Sequence, residues 1–260
     1  MTPKTPRLSA TNVSVTYGGY RIVDNADLVL NAGELTILAG PNGAGKTTLA
    51  RAMAGLSRFE GDVLLNGVAL AKLPAREKAR AMAYLPQGHQ YHWPMSVGDI
   101  VALGREPHAD MFDRRSIADR EAIEAALTMT GVETLVDRTI TTLSGGERAR
   151  VALARALATQ ASVMIADEPI ASVDERNQLI IMDLLKAVAR QGTAVLAIIH
   201  DLSLAMRFAD RVALMQNGRI VANGTPDSVL TIERIADIFG VAVERVETAH
   251  GPALIPSHAV

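Results

Sequence analysis

Cysteine is absent from the chain, which excludes disulfides, thiolate zinc sites and cysteine nucleophiles and favours a reducing compartment. No apolar run approaches the roughly eighteen residues of a membrane-spanning helix. The opening MTPKTPRLSATNV lacks the continuous apolar core of a secretory signal. These absences predict a chain soluble by itself, reaching any membrane through a protein partner. There is no polybasic run, and the formal net charge is −2, so nothing offers a strong grip on nucleic acid or anionic lipid. No internal repeat, low-complexity tract or Gly/Ser/Pro-rich linker divides the sequence. Its 260 residues suffice for one large α/β domain or two small ones.

Aromatics are also scarce, at 3%, which makes QGHQYHWP, Gln87 to Pro94, conspicuous: it holds a tyrosine and the only tryptophan, Trp93, among His89 and His92. With His108 nearby, the histidines suggest a metal or haem site, since imidazole is the commonest protein metal ligand. A binding surface anchored on Trp93 is the competing reading, and the rest of the chain decides between them.

What is present is a regular alternation. LTILA (35–39), VMIA (163–166), TAVLAII (193–199) and RVALM (211–215) read as strands. Their unbroken apolar character suits a sheet covered on both faces. Helical spacing follows from Lys46, Arg176 and Leu202, and strand–helix alternation predicts a parallel, doubly wound sheet. QNGR (216–219) carries the Asn-Gly signal of a tight antiparallel hairpin. Residues 87–158 read instead as helix-rich, with Ile117, Ile123, Ala126 and Leu127 assigned to one stripe.

GPNGAGKTT, Gly40 to Thr48, directly follows LTILA and opens a helical segment, the context that a P-loop requires. Gly40, Gly43 and Gly45 let backbone N–H groups turn inward around phosphate oxygens, and the helix adds its positive end. Lys46 brings a full charge to the β- and γ-phosphates, and the Thr47 hydroxyl suits Mg²⁺. VMIADE ends a strand in two carboxylates whose side chains face opposite ways. Asp167 suits the Mg²⁺ hydration shell and Glu168 the attacking water.

LSGGE, Leu143 to Glu147, goes beyond a generic P-loop enzyme. It resembles the signature of ABC-transporter ATPases, and the resemblance spans nearly the whole chain in order. Tyr17 resembles the residue stacking on adenine, and Gly40, Pro41, Asn42, Gly43, Ala44, Gly45, Lys46, Thr47 and Thr48 resemble Walker A. Gln87 resembles the Q-loop glutamine, which also faces the Mg²⁺. Ser144, Gly145 and Gly146 resemble the signature, Asp167 and Glu168 Walker B with its catalytic glutamate, Asp174 the D-loop aspartate and His200 the switch histidine. Ser144, Gly145 and Gly146 open a helical run and so suit an anion on a helix N-terminus. Two places depart from the usual pattern: IASVD, Ile170 to Asp174, and Ala149. Neither removes a catalytic group.

The resemblance implies an α/β P-loop NTPase (RecA-like) fold. It comprises a largely parallel sheet, an N-terminal antiparallel β region and an inserted helical lobe, with a core lobe at 1–87 and 159–260 and a helical lobe at 88–158 of one domain. It implies ATP and Mg²⁺ as cofactors and a homodimer sandwiching two ATPs. It further implies a permease dimer in the membrane, an extracytoplasmic substrate-binding protein acting indirectly, no nucleic acid, and a place on the cytoplasmic face of the inner membrane. SVGDIVALGREPH, Ser96 to His108, resembles the metal-chelate importer group, which takes up ferric siderophores, haem or cobalamin. Val97, Ile100, Val101 and Leu103 would form its apolar face, ended by Arg105 to His108. An importer or exporter of another cargo, or a soluble non-transport ABC ATPase, are the alternatives. A cytosolic ATPase has no need to ligate its cargo, so QGHQYHWP reads as a surface coupling to the permease, with Tyr91 and Trp93 as anchors.

Overall fold

The computed structural model describes residues 5–88, 93–109, 116–249 and 251–260. Along the chain, β1 (Pro6–Tyr17), β2 (Tyr20–Asn31) and β3 (Leu35–Ala39) lead into α1 (Lys46–Met53), followed by β4 (Glu60–Leu65) and β5 (Val68–Ala69). The middle comprises α2 (Ala75–Ala81), β6 (Met82–Leu85), α3 (Val97–Ala102), α4 (Ile117–Thr130), α5 (Gly145–Ala158), β7 (Val163–Asp167) and α6 (Glu175–Arg190). The remainder is β8 (Ala194–Ile198), α7 (Leu202–Phe208), β9 (Arg211–Gln216), β10 (Arg219–Gly224), α8 (Pro226–Val229), α9 (Ile232–Phe239), β11 (Val241–Thr248) and β12 (Gly251–Ala259). Two compact units result, Met1–Lys72 with Leu185–Val260, and Leu73–Leu184. The second unit holds β6 and β7 together with α2 to α5, a wider span than the helical lobe expected at 88–158.

In the first unit, β3 lies between β8 and β9 and runs parallel to both. Every residue of β3 and β8 is buried, which is why these strands are continuous apolar runs rather than alternating ones. The QNGR hairpin forms as expected, with Gln216 opposite Arg219 and Asn217 and Gly218 both at positive φ, the two-residue turn whose twist suits antiparallel strands. The N-terminal antiparallel region also forms, in the order β2-β1-β4-β5. Its alternating burial, as in β2, marks one face on the core and one in water.

At the C-terminal end, β11 and β12 pair antiparallel. Ser203 at the start of α7 donates to the Leu254 carbonyl at 2.7 Å and accepts from its N–H at 3.0 Å, tying the hairpin to that helix.

In the second unit, α3, α4 and α5 share a core of Val97, Ile100, Val101, Leu127, Val151 and Ala154, among others. Burying each such large side chain stabilises the fold by about 1.5–3 kcal/mol. Two expectations need correction. Ile117 is 68% exposed, because at about 100° per residue it lies on the side of α4 opposite Ala126. The buried stripe is Asp119, Ala122, Ala126, Leu127 and Thr130. Leu103 is 42% exposed, because the chain tightens there into a 3₁₀ turn running to His108 and leaves the face defined by Val97, Ile100 and Val101.

Candidate functional site

The phosphate loop is built by close backbone approach. Gly40 has φ 153° and Gly45 φ 99°; a Cβ on Gly40 would lie 2.1 Å from the Met215 carbonyl oxygen, and one on Gly45 2.7 Å from that of Ile22. Only glycine fits either position. The β9–β10 turn braces the loop: Gly218 N–H donates to the Ala44 carbonyl at 3.0 Å, and Asp24 N–H to the Gly218 carbonyl at 2.9 Å. Arg219 donates to the Asp24 carboxylate at 2.8 Å and holds it below the usual aspartate range. α1 starts at Gly45 with no side-chain cap, and the N–H groups of its first turn suit phosphate oxygens.

Lys46 is buried, 6% exposed, with its ammonium donating to the Gly40 and Pro41 carbonyls at 2.7 and 2.8 Å. The cation is thus curled back over the loop it serves. Thr47 and Thr48 stand half-buried in the first turn, and Asn42 and Gly43 are exposed. Tyr17, 57% exposed, ends β1. His200 is exposed at the carboxyl end of β8. After it, Asp201 caps α7 by accepting from Ser203 and Leu204 N–H groups at 2.8 and 2.9 Å, fixing the backbone on which His200 stands. A cavity of about 330 Å³ lies beside His200, Asp201 and Ser203, closed by Ile235, Val243 and Leu254.

The second unit holds Gln87, Ser144, Gly145, Gly146, Asp167, Glu168 and Asp174. Asp167 ends β7 at 1% exposure and accepts from the Tyr84 hydroxyl at 2.9 Å. Glu168 stands at φ 50°, a left-handed backbone that is uncommon and costly for a residue with a Cβ. The Gln87 amide donates to its carboxylate at 2.6 Å. The two neighbouring acids thus accept from different side chains, Tyr84 and Gln87.

Ser144 caps α5 in a capping box: its hydroxyl accepts from Glu147 N–H at 3.3 Å, and the Glu147 carboxylate accepts from Ser144 N–H at 2.8 Å. That second bond leads the causes keeping Glu147 below the usual range. Buried Gly146 leaves room for Asn177, whose amide would sit 2.3 Å from a Cβ there. Asn177 in turn donates to Asp174 from its backbone at 2.9 Å and its side chain at 2.8 Å, lowering the pKa of that acid. Asn177 thus links LSGGE to Asp174, a connection that nothing in its sequence position announces.

The sequence pattern of ABC transporters matches residues 23–171. The chain belongs to the ABC transporter family. Among curated relatives, the hemin import ATP-binding protein HmuV of Burkholderia lata is 40% identical, covering 96% of this chain and 100% of that one. An ATP-binding protein assigned to a siderophore transport system in Bacillus subtilis is 36% identical over 90% of this chain and 86% of its own. Among solved structures, an inward-facing ABC transporter assigned to the metal-chelate type superposes with a TM-score of 0.84 at 24% identity, covering 97% of this chain and 98% of that one. The activity of this ABC ATPase is that of its family, ATP hydrolysis coupled to transport.

The GREPH segment of this ABC ATPase is a structural clasp. A Cβ on Gly104 would meet the Arg155 carbonyl of α5 at 2.1 Å. Arg105, 7% exposed, pairs with Asp119 at 2.7 Å and donates to the Ala158 carbonyl at 2.9 Å. The Pro107 carbonyl accepts from Arg76 and Arg80 at 3.0 and 2.8 Å. His108 Nε2–H donates to the Thr159 carbonyl at 3.0 Å, and burial lowers its pKa. Asp119 also completes the capping box of α4 with Ser116; its bond from Arg105, then those from Ser116, bring its pKa to about 2. The resemblance of this segment to the metal-chelate importer group gave no sign of these contacts.

Among the described residues, no group of three or more His, Asp or Glu could hold a metal. His89, Gln90, Tyr91, His92 and His250 lie outside the described residues; Trp93, at their edge, is 78% exposed.

Proposed function

We propose that this chain is the ATP-hydrolysing subunit of an importer for a metal chelate, namely haem, a ferric siderophore or cobalamin. The observation that carries this reading is the 40% identity, over 96% of this chain and 100% of the other, to a hemin import ATP-binding protein. The siderophore-system relative supports the wider chelate class.

In this reading Tyr17 stacks on adenine and Gly40 to Thr48 wrap the phosphates, with Pro41, Asn42 and Ala44 shaping the loop. The uncapped start of α1 and the inward Lys46 ammonium fit a polyanion, which would draw the cation off the Gly40 and Pro41 carbonyls. Thr47, Gln87 and Asp167 supply oxygen donors, the kind that Mg²⁺ takes, and their small number fits an ion that keeps waters and phosphate oxygens in its shell. When bound, Mg²⁺ neutralises charge between the β- and γ-phosphates. Glu168 orients and deprotonates the attacking water, and the Gln87 amide holds that carboxylate in place. His200 donates to the γ-phosphate.

A second copy of the chain completes each site with Ser144, Gly145 and Gly146 at the start of α5, while Asp174 communicates between the two copies. The lobe at 88–158 couples dimer closure to a permease dimer through the surface around Trp93. The chain is then peripheral on the cytoplasmic face of the inner membrane, and the extracytoplasmic binding protein acts on it only through the permease.

The test is co-purification with the neighbouring permease, reconstitution in liposomes, and measurement of ATPase with the cognate binding protein loaded with haem, ferric siderophore or cobalamin. Stimulation by one of these chelates is expected. Stimulation only by a cargo without metal would reject the reading.

A further inference from the structure

Strand β6 runs parallel to β7 with Tyr84 opposite Ile165. Side chains alternate along a strand, so Asp167 lies on the same face as Ile165, and Tyr84 shares that face from the neighbouring strand. A phenol spans the one strand period separating Tyr84 from the level of Asp167, and the bond is observed: Tyr84 Oη donates to Asp167 Oδ2 at 2.9 Å. The acid it holds is almost fully buried, at 1% exposure. A buried carboxylate needs fixed donors to keep its charge and one orientation. A phenol supplies one without a positive charge that would compete with a cation for the same oxygens. Carboxylates that ligate metals are commonly oriented by such a hydrogen-bonding neighbour.

We propose that Tyr84 is a positioning residue for ATP hydrolysis, holding the Asp167 carboxylate in the orientation in which it serves the Mg²⁺ of MgATP. The inference rests on the assignment of Asp167 to Mg²⁺ made above. Tyr84 touches neither nucleotide nor water in this role and acts only through Asp167.

The experiment compares wild type, Tyr84→Phe, Tyr84→Leu and Asp167→Asn, each loaded with a non-hydrolysable ATP analogue. Mn²⁺ binding is followed by electron paramagnetic resonance, analogue binding is repeated in chelator, and thermal unfolding is recorded. Tyr84→Phe keeps the ring and removes the hydroxyl; its Mn²⁺ dissociation constant is expected to rise about tenfold. Metal-free analogue binding should stay at the wild-type value, and turnover should recover at high Mg²⁺. Wild-type Mn²⁺ affinity in Tyr84→Phe overturns the proposal, even if Tyr84→Leu is impaired, because the ring's packing would then be its only role. If Asp167→Asn also keeps wild-type Mn²⁺ affinity, the assignment of Asp167 falls as well. Weakened binding in Asp167→Asn alone sinks the positioning role and leaves that assignment standing.

Discussion

Lys46 and Glu168 carry the residue-scale account, and they separate binding from chemistry. The Lys46 ammonium is buried and bonded to the Gly40 and Pro41 carbonyls, and removing it deletes the cation proposed to meet the phosphates. Lys46→Ala is expected to weaken ATP binding at least tenfold, about 1.4 kcal/mol, read by titration with a fluorescent analogue. Glu168→Gln keeps the size of the side chain and the strained backbone but loses the carboxylate proposed as the base. Binding should persist while turnover falls about a hundredfold or more, within the range that a positioned general base contributes. Undiminished turnover would remove Glu168 from its assigned role.

These residues were legible because each belongs to a motif whose chemistry dictates its spacing. Tyr84 and Asn177 were not, since each works through a neighbour brought close by strand register or helix packing. Scarcity of aromatics was the one available hint for Tyr84.

Among the elements, those legible in advance were the ones under the strongest single constraint. β3 and β8 are buried on both faces and read as apolar runs, and the Asn217-Gly218 turn needs residues that tolerate positive φ. Strand β6, four residues directly after a helix, is too short to show a period. β11 and β12 are largely exposed, so no apolar pattern marks them.

The clasp around Arg105 gives a stability prediction. Asp119 titrates at about 2 when folded, against 3.8 ordinarily. The depressed value means that its contribution is complete above about pH 4 and is lost as pH falls through 2. Asp119→Asn breaks the buried pair and one arm of the α4 capping box, and should destabilise the protein by about 3 kcal/mol at neutral pH. Denaturant unfolding checks this. The deficit of the variant should shrink between pH 4 and 2; a pH-independent deficit would contradict the charge pairing. Because the clasp joins the 3₁₀ turn at 103–108, α4 and α5 rather than reaching a ligand, the GREPH segment bears on the build of the second unit and only indirectly on cargo.

At the scale of the whole molecule, no helix among the described residues is long and apolar enough to cross a membrane. Trp93, 78% exposed, is the residue proposed above to meet the permease. Trp93→Ala is expected to leave the basal ATPase of the purified subunit within twofold and to abolish most permease-stimulated turnover; equal losses in both assays would indicate a folding defect instead.

The central claim is that hydrolysis by this chain drives metal-chelate import, and ATP-dependent uptake by the reconstituted permease complex tests it most directly. With wild-type chain, a haem, ferric-siderophore or cobalamin load should accumulate inside proteoliposomes when MgATP is supplied on the ATPase side, and Glu168→Gln should stop it. Accumulation that continues with Glu168→Gln, or an active ATPase that moves none of these chelates, would contradict the account.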